Sequence, residues 1–288
     1  MVILQNEKLV MKIAKLGAEP QSLFAKESGC EYIWNGNPEY WFRHAPLLFP
    51  MTGPTKDNKV AFKGTEYEMP GNGFARDTEF SVAETDGTRA VFVLEESPLT
   101  LKYYPFPFKL VVTYTLLDDG YEAKAVIHAK DKGLWFTFGW HPAFSLDMNG
   151  KDTPIEAYRV EFSNAETSDR KYQVNGVFQV EPKFLDNAKS FQLSRKETDK
   201  GPVVLPTVQS RQVKLVCDKG PHGVVVDMGE MPLLVVWTCA PKHAQYVCVE
   251  PMYSFGDATR PLDLAEMPQT MYLEPNGEKT FINTFRVF

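Results

Sequence analysis

Phe108-Lys109-Leu110-Val111-Val112-Thr113-Tyr114-Thr115-Leu116-Leu117-Asp118-Asp119-Gly120-Tyr121, running on to Ala129, is the stretch on which the fold turns. Phe108, Leu110, Val112, Tyr114 and Leu116 recur at every second position, the period of a strand with one apolar face. Asp118-Asp119-Gly120 then supplies turn residues, and the chain returns through Tyr121 to Ala129 as the second arm of a hairpin. The same pattern repeats outward in both directions. Ser81 to Ala83 and Ala90 to Leu94 flank Thr85-Asp86-Gly87-Thr88, where Asp-Gly favours a tight turn. Val60-Ala61-Phe62 and Glu66-Tyr67-Glu68 straddle Lys63-Gly64. Further strands are predicted at Leu9 to Ile13, Ala157 to Phe162, Val213 to Cys217, Val224 to Asp227, Leu233 to Thr238, Tyr246 to Val249 and Lys279 to Val287.

Helical signals are few. Gln21 to Lys26, Pro38 to Trp41 and Leu262 to Met267 each suit a turn or two, and 21 Pro with 19 Gly leave little room for longer helices. The polar segment Ser163 to Pro206 reads as long loops with short strands. There is no fixed-period repeat and no linker-like run, so residues 1–288 are expected to form a single all-β domain, a large antiparallel sandwich or barrel with few short helices. Aromatic residues at 13% suit pleated strands.

A net charge of −6 argues against nucleic acid or an anionic membrane surface as partner, although a local basic patch for an anionic small molecule stays open. The N-terminus turns polar after Met1-Val2-Ile3-Leu4, and no stretch approaches the ~20 apolar residues that a membrane helix needs. Cys30, Cys217, Cys239 and Cys248 include no C-x-x-C pair and read as reduced, mostly buried thiols. The expectation is a cytoplasmic protein whose oligomeric state the sequence does not give.

Two ionisable residues stand inside otherwise apolar, aromatic runs. In Trp135-Phe136-Thr137-Phe138-Gly139-Trp140-His141-Pro142, a strand delivers His141 to its end and the proline stops further pairing. An imidazole there can give or take a proton near neutral pH; a core histidine bonded to a backbone carbonyl fits equally well. In Tyr246-Val247-Cys248-Val249-Glu250-Pro251, Glu250 closes a β-branched strand. A carboxylate is poorly solvated there unless it faces a cleft or a cation, so a general base competes with a structural ion pair. A third segment, Gly71-Asn72-Gly73-Phe74-Ala75-Arg76-Asp77, permits positive φ and close backbone approach. Asn72 could hydrogen-bond a hydroxyl, and Arg76 could hold an oxygen or phosphate or pair with Asp77 or Glu79 at the surface. The sequence lacks H-E-x-x-H, paired-cysteine, P-loop and G-x-G-x-x-G motifs, and also a G-x-S-x-G elbow, so metal, nucleotide and serine-hydrolase readings find no motif.

These segments, taken in order, resemble the aldose 1-epimerase (galactose mutarotase-like) superfamily, in particular its bacterial LacX-like branch. The resemblance is carried by Gly17-Ala18-Glu19, Glu31 to Gly36, Trp41-Phe42-Arg43-His44-Ala45-Pro46-Leu47-Leu48-Phe49-Pro50, Asn72 to Asp77, Gly139 to Phe144, Pro232 to Trp237 and Val249-Glu250-Pro251. It implies a large antiparallel β-sandwich (a supersandwich) with a sugar in a cleft, and a cofactor-free and metal-free reaction. Glu250 would take the proton of the anomeric hydroxyl while His141 protonates the ring oxygen. Trp237 would form an apolar wall. Two departures stand out: the family usually has His at the position of Asn72 and often Arg at that of Pro54. His44 and Lys56 are the candidate substitutes, and the parts played by Arg43 and Asp257 stay open. A hexose-phosphate mutarotase, with Arg76 and Arg43 facing the phosphate, and a non-catalytic carbohydrate-binding or sensing protein are the alternatives.

Overall fold

The computed structural model describes residues 1–174, 177–256, 263–267 and 269–288. Phe108–Leu117 pairs antiparallel with Gly120–Ala129, from Phe108↔Ala129 to Leu117↔Gly120, so Asp118 and Asp119 make the turn. Phe108, Leu110, Val112, Tyr114 and Leu116 are all buried and the residues between them half-buried. Gly120 holds φ +155°, and a Cβ there would collide with the Phe285 carbonyl of the adjoining Glu278–Val287 strand. The other two predicted hairpins form as Ser81–Thr85 with Arg89–Glu95 and Lys59–Phe62 with Thr65–Glu68.

The hairpin lies near one end of a large sheet. In spatial order its strands are Leu47–Leu48, Gly139–Trp140, Tyr246–Met252, Leu233–Trp237, Val203–Leu205, Tyr158–Val174, Gln212–Cys217, Val224–Asp227, Glu278–Val287, Gly120–Ala129, Phe108–Leu117, Arg89–Glu95 and Ser81–Thr85. Ala143–Ser145 and Val177–Gln192 attach beside this path. Side chains from opposite ends of the sheet meet in the interior. Phe49 packs on Phe108 at 5.1 Å, Phe138 stacks on Phe281 at 4.8 Å, and Tyr114 meets Trp140 edge-on at 6.3 Å. Each such buried ring contributes ~1.5–3 kcal/mol, and these contacts make the folded-over sheet a sandwich. The Trp140 indole N–H donates to Asn283 Oδ1 at 2.9 Å, so its polar edge is satisfied inside that layer.

A second sheet of four strands, Val2–Gln5, Leu9–Ile13, Pro20–Ala25 and Cys30–Glu31, packs into the same core. Here the structure corrects a helical expectation: Gln21 to Lys26 is mostly strand. The Glu31 carboxylate accepts from the Leu23 N–H at 2.8 Å and from the Ser22 hydroxyl, fixing an extended backbone that the local pattern does not announce. Pro38 to Tyr40 is a turn in which the Tyr40 and Trp41 N–H groups both donate to the Asn37 carbonyl. Asp263 to Met267 forms turns after a bridge to Ala61 rather than a helix, while Leu262 and Asp257 lie outside the described residues. The largest correction concerns Ser163 to Pro206. Most of it is one long hairpin, Tyr158–Val174 with Val177–Gln192, followed by the helical turn Arg195–Thr198 and the strand Val203–Leu205.

Candidate active site

Two neighbouring strands, with His141 from the segment beside them, build the floor of a cavity of about 400 Å³. Tyr246–Met252 is buried at every residue, but its two faces go to different places. Val247 and Val249 point into the main core, whereas Tyr246, Cys248 and Met252 belong to smaller clusters on the other side. Alternation puts Glu250 on that second side. Leu233–Trp237 divides likewise, sending Leu234 and Val236 to the core and Leu233, Val235 and Trp237 to the cavity side. The pairing Val235↔Glu250 places an apolar neighbour beside the carboxyl.

His141 arrives from the opposite edge. Gly139 pairs with Met252 and Ala143 with Cys248, a register that sets His141 directly across from Glu250. Pro142 interrupts the ladder on the donor side, while its carbonyl accepts from Val249 N–H at 3.2 Å and His141 N–H donates to the Pro46 carbonyl at 2.9 Å. The result is a contact of 3.4 Å between His141 Nε2 and Glu250 Oε2, with side chains 9% and 2% exposed. Burial pushes the Glu250 carboxyl well above its ordinary range and the His141 imidazole well below its own, the nearby Arg76 charge adding to the latter. Both shifts disfavour charge, so burial favours the neutral carboxyl and neutral imidazole over a separated ion pair. Among the described residues, His141 Nδ1 and Glu250 Oε1 are buried without a hydrogen-bond partner.

The rim comes from loops. Asn72 (φ 65°) and Gly73 (φ 72°) are both left-handed, and a Cβ on Gly73 would strike the Phe49 carbonyl. Asn72 lines the cavity, and its Oδ1 accepts from Gly53 N–H at 2.6 Å, tying the Asn72 loop to the Gly53-Pro54 loop. Arg76 also lines it, held by a 2.7 Å bond from Nη2 to the Gly71 carbonyl. Desolvation lowers Arg76 to about 10, which leaves it a cation at neutral pH. Trp237 and Pro54 line the cavity as well.

Arg43 and His44 are placed elsewhere. Arg43 donates to Asp77 at 2.6 Å and to the Arg76 carbonyl at 3.3 Å, behind the rim. The His44 ring packs against Gly36, and burial lowers its pKa. Their shared segment is fastened by buried Glu19, whose Oε1 accepts from the His44 and Ala45 N–H groups at 2.6 and 3.0 Å. Lys56 does not line the cavity either.

Two contributors were not singled out from sequence. Trp41 lines the cavity and stacks on His141 at 5.0 Å and on Tyr246 at 5.5 Å, with its edge toward Trp237. Its place in the Trp41-to-Pro50 run was the available signal. Arg170, fully buried, reaches the wall from the long hairpin. It donates to Glu197 Oε2, to the Glu197 and Gly201 carbonyls at 2.9 Å each, and to the Pro202 carbonyl at 3.4 Å. Pro202 lines the cavity, so Arg170 positions that wall.

The family model for aldose 1-epimerase matches residues 1–263. The chain belongs to the aldose 1-epimerase family. Protein LacX (plasmid) of Lactococcus lactis subsp. lactis is 28% identical over 259 residues, 86% of each chain. Among solved structures, a galactose mutarotase-like protein from Lactobacillus casei is 27% identical with a TM-score of 0.93, covering 100% of both chains. A galactose mutarotase related enzyme from Lactobacillus acidophilus is 26% identical, TM-score 0.90, covering 100% of this chain and 97% of that one. As an aldose 1-epimerase family member the chain has the general role of an isomerase-type enzyme of carbohydrate metabolism, on the galactose mutarotase-like fold. No helix among the described residues is long and apolar enough to cross a membrane.

Proposed function

We infer that this aldose 1-epimerase family member interconverts the anomers of an uncharged aldohexose or a close derivative, with Glu250 and His141 moving the protons. The observation that carries this reading is the cross-strand His141–Glu250 pair, 3.4 Å apart on the floor of the cavity. The two oxygens that must exchange protons, the ring oxygen and the anomeric hydroxyl, are bonded to the same carbon. An acid and a base a few ångströms apart can reach both. The cavity volume lies in the ~300–1,000 Å³ range of small-molecule sites.

In the ring-opening direction a proton passes from the Glu250 carboxyl to His141 as the sugar binds, giving the carboxylate and imidazolium that the step uses. Glu250 takes the proton of the anomeric hydroxyl as His141 gives its own to the ring oxygen. The bond between C1 and the ring oxygen breaks, and an open-chain aldehyde forms. Rotation about C1–C2 presents the other carbonyl face. Reclosure returns one proton from Glu250 to the new anomeric oxygen and one from the ring hydroxyl to His141. The proton count of the pair is the same at both ends, so the reaction needs no external acid or base. Trp41 and Trp237 offer aromatic faces to sugar C–H groups, while Asn72 and Arg76 offer polar contacts at the rim. Residues 1–288 would act as one unit in the cytoplasm, in keeping with four unpaired cysteines.

An uncharged sugar is favoured over a hexose phosphate by the disposition of the cations. Arg76 is the cationic side chain lining the cavity among the described residues, Arg43 is engaged by Asp77, and Pro54 is apolar. NMR exchange spectroscopy with glucose, galactose and glucose 6-phosphate tests this. Faster exchange of a neutral hexose than of the phosphate is expected. Preference for the phosphate would install the phosphorylated substrate instead, and binding without acceleration of any anomer would make the protein a sensor.

A further inference from the structure

The strand that carries Glu250 also carries Cys248, two residues earlier and on the same face. Cys248 stands between Ala143 and Trp237 in the pairing, is fully buried, and makes no part of the acid–base chemistry above. One ligand atom from each of His141, Cys248 and Glu250 falls within 4.8 Å of the others. We propose that these three side chains form a binding site for a thiophilic divalent cation of the zinc class, and that the cation, once bound, blocks the acid–base pair.

Geometry supports the set. Zinc bonds of about 2.0–2.3 Å to nitrogen, oxygen and sulfur place tetrahedral ligand atoms roughly 3.3–3.7 Å apart. His141 Nε2 and Glu250 Oε2 already stand at 3.4 Å, and the Cys248 thiol, within 4.8 Å of a ligand atom of each partner, moves inward to complete the set. Two of the three ligands, His141 and Glu250, line the cavity, while Cys248 belongs to the adjoining buried cluster, and a three-ligand set keeps a fourth position for a small oxygen ligand. The cation has a route in through the same opening.

Charge supports it too. A thiolate, a carboxylate and a neutral imidazole carry two negative charges, which a divalent cation neutralises in a buried setting. On binding, the thiol proton and the Glu250 carboxyl proton pass to solvent. Among the described residues nothing hydrogen-bonds the nine-tenths-buried His141 Nδ1 or Glu250 Oε1, so each side chain keeps an open polar atom. A thiolate–imidazole–carboxylate set selects zinc-like ions over magnesium or calcium, which ask for six or more oxygens. Sequence motifs miss it because the ligands come from two paired strands rather than from one spaced run.

Cobalt(II) alone, titrated into the intact protein, reads the site directly. A near-ultraviolet thiolate-to-cobalt charge-transfer band should grow to one equivalent, vanish on adding zinc(II), and be absent in Cys248→Ser. It should persist in Cys239→Ser, the half-buried cysteine nearby. Cys248→Ala serves if the serine variant folds poorly. Zinc(II) should also slow anomer exchange, with at least about 100-fold more metal needed in the Cys248 variant relative to its own uninhibited rate. A band that survives loss of Cys248, or no band in the native protein, overturns the site. The inhibition half rests on the proposed acid–base roles, but the cobalt band does not. A protein that binds cobalt through Cys248 and exchanges no anomer would therefore refute the function and leave the site standing.

Discussion

The Phe108–Ala129 hairpin and the Tyr246–Met252 strand belong to one antiparallel sheet, yet they bury their residues in opposite styles. The Phe108–Leu117 arm alternates buried and half-buried residues along its whole length. The Tyr246–Met252 strand is buried throughout because the loops carrying Trp41, Gly53-Pro54 and Asn72 cover its second face. The difference separates stability from chemistry. A strand with one wet face can use its buried face only for packing. A strand covered on both faces can hold an acid on the second one, away from water, where its proton affinity is no longer ordinary.

Truncating the hairpin should test the packing half with the largest effect. Phe108→Ala is expected to cost ~3–5 kcal/mol in urea unfolding, because the ring touches Phe49, Phe74 and Tyr104 across the sandwich. A loss below about 1 kcal/mol would mean that the two ends of the sheet do not share one core.

The covered strand should behave in the opposite sense. A carboxyl whose pKa is raised on folding binds its proton more tightly in the native state, so stability is lost as pH rises above the ordinary carboxyl range. Glu250→Gln should therefore gain on the native protein with rising pH, by about 1.4 kcal/mol for each pH unit until the folded carboxyl ionises. His141→Asn should act on the other limb. The native imidazole is lowered, so its neutral burial loses stability as pH falls through the ordinary imidazole range, and the variant escapes that loss. Melts of the three proteins at several pH values check both signs, and parallel curves would contradict them.

The smallest effect belongs to the hairpin's half-exposed face. Lys109 pairs with Glu95 at 3.3 Å with both side chains more than two-fifths exposed, and Lys109→Ala should change stability by no more than about 0.5 kcal/mol. A larger change would mean that this face is less wet than its alternation suggests.

What the sequence shows follows the same division. Strands whose alternation is written in hydropathy were legible, as were the two that deliver His141 and Glu250, because a charge inside an apolar run is conspicuous. The long hairpin after Tyr158 was not. Its period of two is present, but its buried positions include Glu166, Ser168 and Arg170, and the two charged ones are made tolerable by distant partners. Glu166 accepts from the Gln209 and Ser210 N–H groups at 3.0 and 2.7 Å, and Arg170 is held by the 197–202 segment. Hydropathy cannot report burial that hydrogen bonds from far along the chain make possible. The rim was legible only in part for a related reason. Arg43 and Arg76 look alike in sequence, and Asp77 draws Arg43 behind the rim while Arg76 stays at the cavity.

The most direct measurement is anomer exchange by NMR on a neutral hexose, run with native protein, Glu250→Gln and His141→Asn beside calorimetric sugar binding. The expected result is a ~10²–10⁴-fold slower exchange in each variant with sugar affinity largely kept. Exchange at the native rate in either variant would show that the 3.4 Å pair is not what moves the protons.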